Sequence, residues 1–176
     1  MATTNQFNLF ANELAAKFND PDKKYMVWLD AGSQYCGQAN LSHDINRNAA
    51  NPNEARTLAI VYRPYATNDA TTGGFCRGRT LRHELGHSMG ALQKEAPNTI
   101  ADGAHCGDSG EDTMCYTSAT TPETGPPAFD YNNDDYWDPA ANPPLASTAK
   151  LPWWTVNNSR FICPVAGCAA PSTPDY

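Results

Sequence analysis

Apolar residues recur at three- and four-residue spacing near the start of the chain, at Phe7, Phe10, Leu14 and Phe18. That period lines them along one stripe of a helix over residues 5–18, which Asn19-Asp20-Pro21-Asp22 ends. The pattern then changes. YMVWLDA (25–31) and TLAIVYR (57–63) are short apolar, β-branched and aromatic runs, stopped by Gly32-Ser33 and Pro64, and both read as strands. Residues 32–56 between them are polar and turn-rich, and 65–79 form a loop around Gly73-Gly74. A second helix is expected over 80–91, with Leu81, Leu85, Met89 and Leu92 confined to one face and Gly90 placed to end it at positive φ. Beyond it prolines crowd residues 122–152, and only 153–161 has the makings of another helix. The chain therefore reads as an α+β fold with a small sheet, two helices and an irregular C-terminal part. It forms one domain over 1–176, with an upper lobe at 1–91 and a lower lobe at 92–176.

The second helix carries HELGH, residues 83–87. Residues i and i+4 of a helix lie about 40° apart around its axis, so His83 and His87 can offer two imidazole nitrogens to one ion. Glu84 is rotated aside, within reach of a water on that ion but not a ligand. Two imidazoles and a position left open for water select Zn²⁺. A solvated surface helix is the plainer alternative, and the one-sided apolar flank argues against it.

A hydrolytic zinc site takes three protein ligands and a water. The remaining histidines are His43, in a polar loop, and His105, in the turn-rich DGAHCGD. His105 is the preferred third ligand, because Gly90, Pro97 and Gly103 let its segment fold back under the helix. The amide of Gln93 and the carboxylates of Asp102 and Asp108 stay open as alternatives.

Downstream, EDTMCYTS (111–118) places a methionine and a tyrosine two residues apart. With His83, Glu84, His87 and Gly90, the residues Met114 and Tyr116 resemble the motif and Met-turn of the metzincins, the zinc endopeptidase clan that includes astacins and serralysins. The run HELGHSMGALQKEAPNTIADGAHCGDSGEDTMCY is similar to a branch of secreted bacterial metzincin-like proteases with HExxHxxGxxQ, then HC, then MCY. DYNNDDYWD and WWTVNNSRFI share that likeness, which spans roughly the C-terminal half of the chain. The resemblance implies a metzincin-like fold with four or five strands, Met114 as a hydrophobic floor under the metal, and His105 as third ligand. It makes Tyr116 a donor to the transition state. The activity it implies is zinc-dependent endopeptidase action, with a metal-activated water and Glu84 as general base. The strand at 57–63 is then a candidate edge for pairing an extended substrate. A non-catalytic zinc-binding module, and a zinc amidase or esterase acting on a non-protein substrate, are the competing readings.

Composition agrees with a secreted protein. Twelve basic against nineteen acidic residues give a net charge of −7 and no basic cluster, which disfavours nucleic acid and anionic membranes as partners. A monomer acting on protein or peptide is expected. Six cysteines, none in a CxxC pair, suit disulfides and an extracellular location. Proximity along the chain suggests Cys36–Cys76, Cys106–Cys115 and Cys163–Cys168, the second tying together two walls of the site. The opening MATTNQF lacks the charged and apolar regions of a secretory leader, so either a leader and any pro-segment are removed beforehand, the preferred expectation, or export takes another route. Finally, Asp130, Asn132 and Asp134 alternate like the first half of an EF-hand loop, a candidate for Ca²⁺ set against a solvated acidic turn.

Overall fold

The computed structural model describes residues 4–21, 23–33, 35–46, 51–63, 78–116, 128–137 and 156. The loop expected over 65–79 lies outside them up to residue 77, as does the helix expected over 153–161 apart from Val156. Among the described residues the protein is a mixed α+β fold: α1 (Thr4–Lys17), β1 (Lys24–Gly32), β2 (Gly37–Ala39), β3 (Thr57–Arg63) and α2 (Gly78–Ser88). Single 3₁₀ turns occupy Pro52–Glu54 and Tyr131–Asn133. No helix among these residues is long and apolar enough to cross a membrane.

The sheet runs β1-β3-β2, with β1 parallel and β2 antiparallel to β3. This corrects the expectation that 57–63 offers a free edge. Leu58 to Tyr62 are buried without alternation, as befits a strand covered on both faces and paired on both sides. The edge beside the second helix belongs instead to β2, a three-residue strand inside the segment expected to be only turns.

Each face of the sheet has its own cover. Phe7, Phe10, Ala11 and Leu14 of α1 pack on Leu58, Ile60 and Tyr62 of β3 and on Tyr25, Val27 and Leu29 of β1. Burying each large apolar side chain there contributes roughly 1.5–3 kcal/mol. α2 lies on the other face, and the Thr57 hydroxyl donates to the Ser88 carbonyl (2.9 Å), fixing the end of α2 to the start of β3. The outer side of α2 and the turn that follows it enter a second core. Leu85, Met89 and Leu92 meet Met114, the Cys106–Cys115 pair, Tyr136 and Val156. The irregular C-terminal segments thus pack beneath the helix.

Candidate metal centre

The helix ends as its sequence requires. Gly90 adopts φ 92°, its amide donates to the His87 carbonyl (2.9 Å), and the Ala91 amide reaches back to the Gly86 carbonyl (2.9 Å). This pair of bonds is a Schellman motif, and it depends on a glycine at the left-handed position. The same turn brings the Ala91 carbonyl within 3.1 Å of His87 Nδ1, so helix termination and orientation of the His87 imidazole are one event.

The other two histidines are held by different means. His83 Nδ1 donates to the Thr113 carbonyl (2.7 Å), the residue before Met114. His105 sits on a tight loop where Gly103 takes φ 74° and Ile100 donates to the His105 carbonyl (2.8 Å). Asp102 Oδ1 accepts from the amides of Ala104 and His105, and its Oδ2 accepts from His105 Nδ1 (2.7 Å). A disulfide joins Cys106 to Cys115, and Tyr116 N donates to the Cys106 carbonyl (3.1 Å). The loop bearing His105 is thereby stitched to the segment of Met114 to Tyr116.

The three Nε2 atoms converge: 3.0 Å from His87 to His83, 3.1 Å from His83 to His105, and 3.2 Å from His87 to His105. Each Nδ1 faces an oxygen that can only accept, so Nδ1 carries the proton in the neutral ring and each Nε2 presents a lone pair. Three lone pairs at that spacing repel unless a cation lies among them. Zn–N distances of about 2.0–2.1 Å at tetrahedral angles put ligand nitrogens about 3.3 Å apart, close to what is observed. Burial favours the neutral, ligating form. It pushes His83 down to about 4, assisted by His105 and Arg79, and it drives His87 well below its usual value.

Around this triad lie the remaining residues of the motif. Met114 is fully buried, and a Cβ on Gly86 would meet its sulfur at 2.6 Å, so the segment bearing Met114 packs directly beneath α2. Glu84 is almost fully buried, and burial pushes its carboxyl up to about 8. Tyr116 stacks on His105 (centroids 3.8 Å apart, 22° between planes) yet stays half exposed at the mouth of the site. Burial, then the charges of Asp102 and Glu84, raise its phenol, so it remains an O–H donor at neutral pH.

The alternative third ligands have other work. Gln93 is buried. Its Oε1 accepts from Asp44 N (3.0 Å) while its Nε2 donates to the carbonyls of Ser42 (3.0 Å) and Gly90 (2.8 Å). It clips the segment after β2 to the turn after α2. Asp102 orients His105, and donation from Ala104 and His105 outweighs burial to hold its carboxyl below the usual range. Asp108 groups with Cys106, Cys115 and Asp135, where the two sulfurs are already bonded to each other. His43 is exposed. Cys36 is disulfide-bonded, while the Cys36–Cys76 and Cys163–Cys168 pairings involve cysteines outside the described residues.

The segment considered for Ca²⁺ is arranged differently from an EF-hand loop. Asp130 uses its carboxylate on its own backbone, accepting from the amides of Asp134, Asp135, Tyr136 and Trp137. Asn132 is exposed at φ 66°. The acidic group that does come together is Asp112, Asp130 and Asp135, all buried.

Two residues outside the sequence expectations organise the site. Asp112 accepts from Met114 N (2.6 Å), Tyr131 N (2.6 Å) and the Tyr136 hydroxyl (2.9 Å), locking the segment around Met114 onto residues 130–137. The spacing D-x-M was its one signal, since Asp commonly caps an amide two residues on. Arg79 donates to the carbonyls of Gly110 (3.0 Å), Asp112 (2.6 Å) and Cys115 (3.3 Å), binding the start of α2 to the same segment. The sequence carried no signal for it, because the helix expected from residue 80 left Arg79 in the preceding loop.

Burial pushes Asp112 and Asp130 up to about 6, Asp135 up to about 7, and Glu84 up to about 8. Folded values above the unfolded ones mean that the fold prefers the protonated acids. Their contribution is complete below about pH 4 and is lost as pH rises through those folded values. The depressed histidines act oppositely, losing their contribution as pH falls below about 6.5, so they are neutral bystanders at higher pH. The metal-free chain is therefore expected to melt at a lower temperature at pH 8.5 than at pH 6.5. A circular-dichroism melt in chelator checks this, and an equal or higher midpoint at pH 8.5 contradicts it.

Compared with protein-family models, curated proteins and solved structures, the chain matches none.

Proposed function

We propose that the chain is a secreted, zinc-dependent endopeptidase of metzincin type, with His83, His87 and His105 as the metal ligands. The carrying observation is the convergence of three Nε2 lone pairs, each ring oriented by its own acceptor, with a buried glutamate directly after the first histidine. Three imidazoles leave one tetrahedral position open, the mark of a catalytic rather than a structural zinc site. When bound, the metal supplies Lewis acidity and a nucleophilic water at neutral pH.

The chain's own residues do the rest. Glu84 takes a proton from the attacking water and returns it to the departing amide nitrogen. The Tyr116 hydroxyl donates toward the carbonyl oxygen as that oxygen gains charge. β2 is the sheet edge nearest Glu84, and an extended peptide can pair along it, so the substrate edge belongs to β2 and not to 57–63. The Cys106–Cys115 disulfide suits an extracellular setting.

The purified chain is expected to cleave casein, to stop with 1,10-phenanthroline, and to recover on adding zinc. Cleavage that ignores the chelator overturns the metal mechanism. A zinc-loaded chain that hydrolyses small amides or esters but no peptide moves the activity to a non-protein substrate.

A further inference from the structure

A glycine on the edge strand faces the proposed base. A Cβ built on Gly37 would lie 2.5 Å from Glu84 Cγ, 2.5 Å from its Oε1 and 2.7 Å from its Cδ, far inside contact distance. The Glu84 side chain therefore occupies the volume that any other residue at 37 would fill. Gly37 itself sits in an ordinary strand, paired with Val61 of β3, and has no left-handed φ that would demand glycine. Its lack of a side chain serves the neighbour.

The position of the clash decides its consequence. Were only the carboxylate tip in contact, a turn of the terminal torsion would relieve it at little cost. Here Cγ is among the overlapping atoms, and Cγ moves only by rotation about χ1. On a helix χ1 has two accessible wells, and leaving one for the other swings the whole carboxylate to a different side of its own backbone. Glu84 directly follows His83 on α2, so a change of its χ1 alters where the carboxylate stands relative to that imidazole.

We propose that Gly37 is a positioning residue, whose missing side chain leaves the space that the Glu84 side chain occupies and so holds the proposed base in its present rotamer. The assignment rests on the peptidase reading above for its catalytic meaning, but not for the packing. Gly37 touches no ligand, and the three Nδ1 acceptors lie on other segments, so metal retention does not depend on it.

The test uses Gly37→Ala in the full chain, alone and combined with Glu84→Ala. Gly37→Ala is expected to keep native zinc content while kcat drops about 10²-fold, the scale of a roughly 1 Å misplacement of a reacting group. Thermal melts of the four proteins give a readout independent of turnover. Gly37→Ala should lower the melting temperature when Glu84 is present and leave it unchanged when residue 84 is alanine. Should Gly37→Ala alone fail to fold, the double variant is expected to fold and bind zinc as Glu84→Ala does. A kcat within about threefold of native, or an equal loss of melting temperature in both backgrounds, overturns the proposal, as does a double variant that also fails to fold. A native chain that binds zinc but cleaves no peptide defeats the catalytic reading instead, and the melts still decide whether Gly37 dictates the Glu84 rotamer.

Discussion

Glu84→Gln is expected to leave zinc content and fold intact while kcat falls about 10²–10⁴-fold, the usual worth of a positioned general base, or roughly 3–5 kcal/mol of barrier. The substitution changes one oxygen for an NH₂ and keeps Cγ and Cδ, so the packing against Gly37 survives. It touches none of the three imidazole acceptors, which are the Thr113 and Ala91 carbonyls and the Asp102 carboxylate. Only the capacity to take and give a proton is removed. Burial alone pushes this carboxyl up to about 8, and a divalent cation bound alongside would draw it back toward neutral pH. A group with a value in that range can accept a proton early in the reaction and release it later. Steady-state kinetics on a quenched peptide, with metal analysis of the same sample, checks both halves. Turnover within tenfold of native would remove Glu84 from the proton path. Loss of zinc together with activity would make the glutamate structural.

What the chain discloses before folding follows from how local each interaction is. α1, β1 and β3 were legible because each is a run of one hydrophobic period with Gly or Pro punctuation, and His83 and His87 because one helical turn places them together. Gly90 was legible too, since a glycine after a helical run needs only its own neighbours to form the closing turn. β2 was hidden because three residues of mixed polarity carry no period, and its strand state exists only through pairing with β3. Gln93 illustrates the same limit at a single side chain. Its place in HExxHxxGxxQ suggests a ligand, whereas its bonding partners Ser42 and Asp44 lie about fifty residues earlier. Asp130, too, read as a metal-binding alternation, but its carboxylate is consumed by amides four to seven residues further on. Polar side chains in irregular segments have many possible partners, and the fold selects among them through contacts distant in the chain.

His105→Ala is expected to weaken zinc binding by more than about 100-fold, since removing only an outer partner of a ligand already costs about 10–100-fold. Asp102→Asn supplies that smaller step. The amide oxygen can still accept from His105 Nδ1, but the charge that makes the ring a better donor to metal is gone. The two variants should therefore rank in order, with Asp102→Asn between native and His105→Ala in a competition titration against a chromophoric chelator. Gln93→Ala separates the ligand from the clip. Its amide bridges Ser42, Asp44 and Gly90 and is buried, so its loss should lower the melting temperature of the metal-free chain while leaving zinc affinity near native. Unchanged affinity in His105→Ala, or a larger loss in Gln93→Ala than in His105→Ala, would transfer the third ligand to the helix-proximal amide. The geometry weighs against that outcome, because a Gln93 oxygen freed to ligate would abandon its hydrogen bond from the part-buried Asp44 amide. His105 needs no such rearrangement. Its Nε2 already stands 3.1 and 3.2 Å from the two helical histidines, with its other nitrogen engaged.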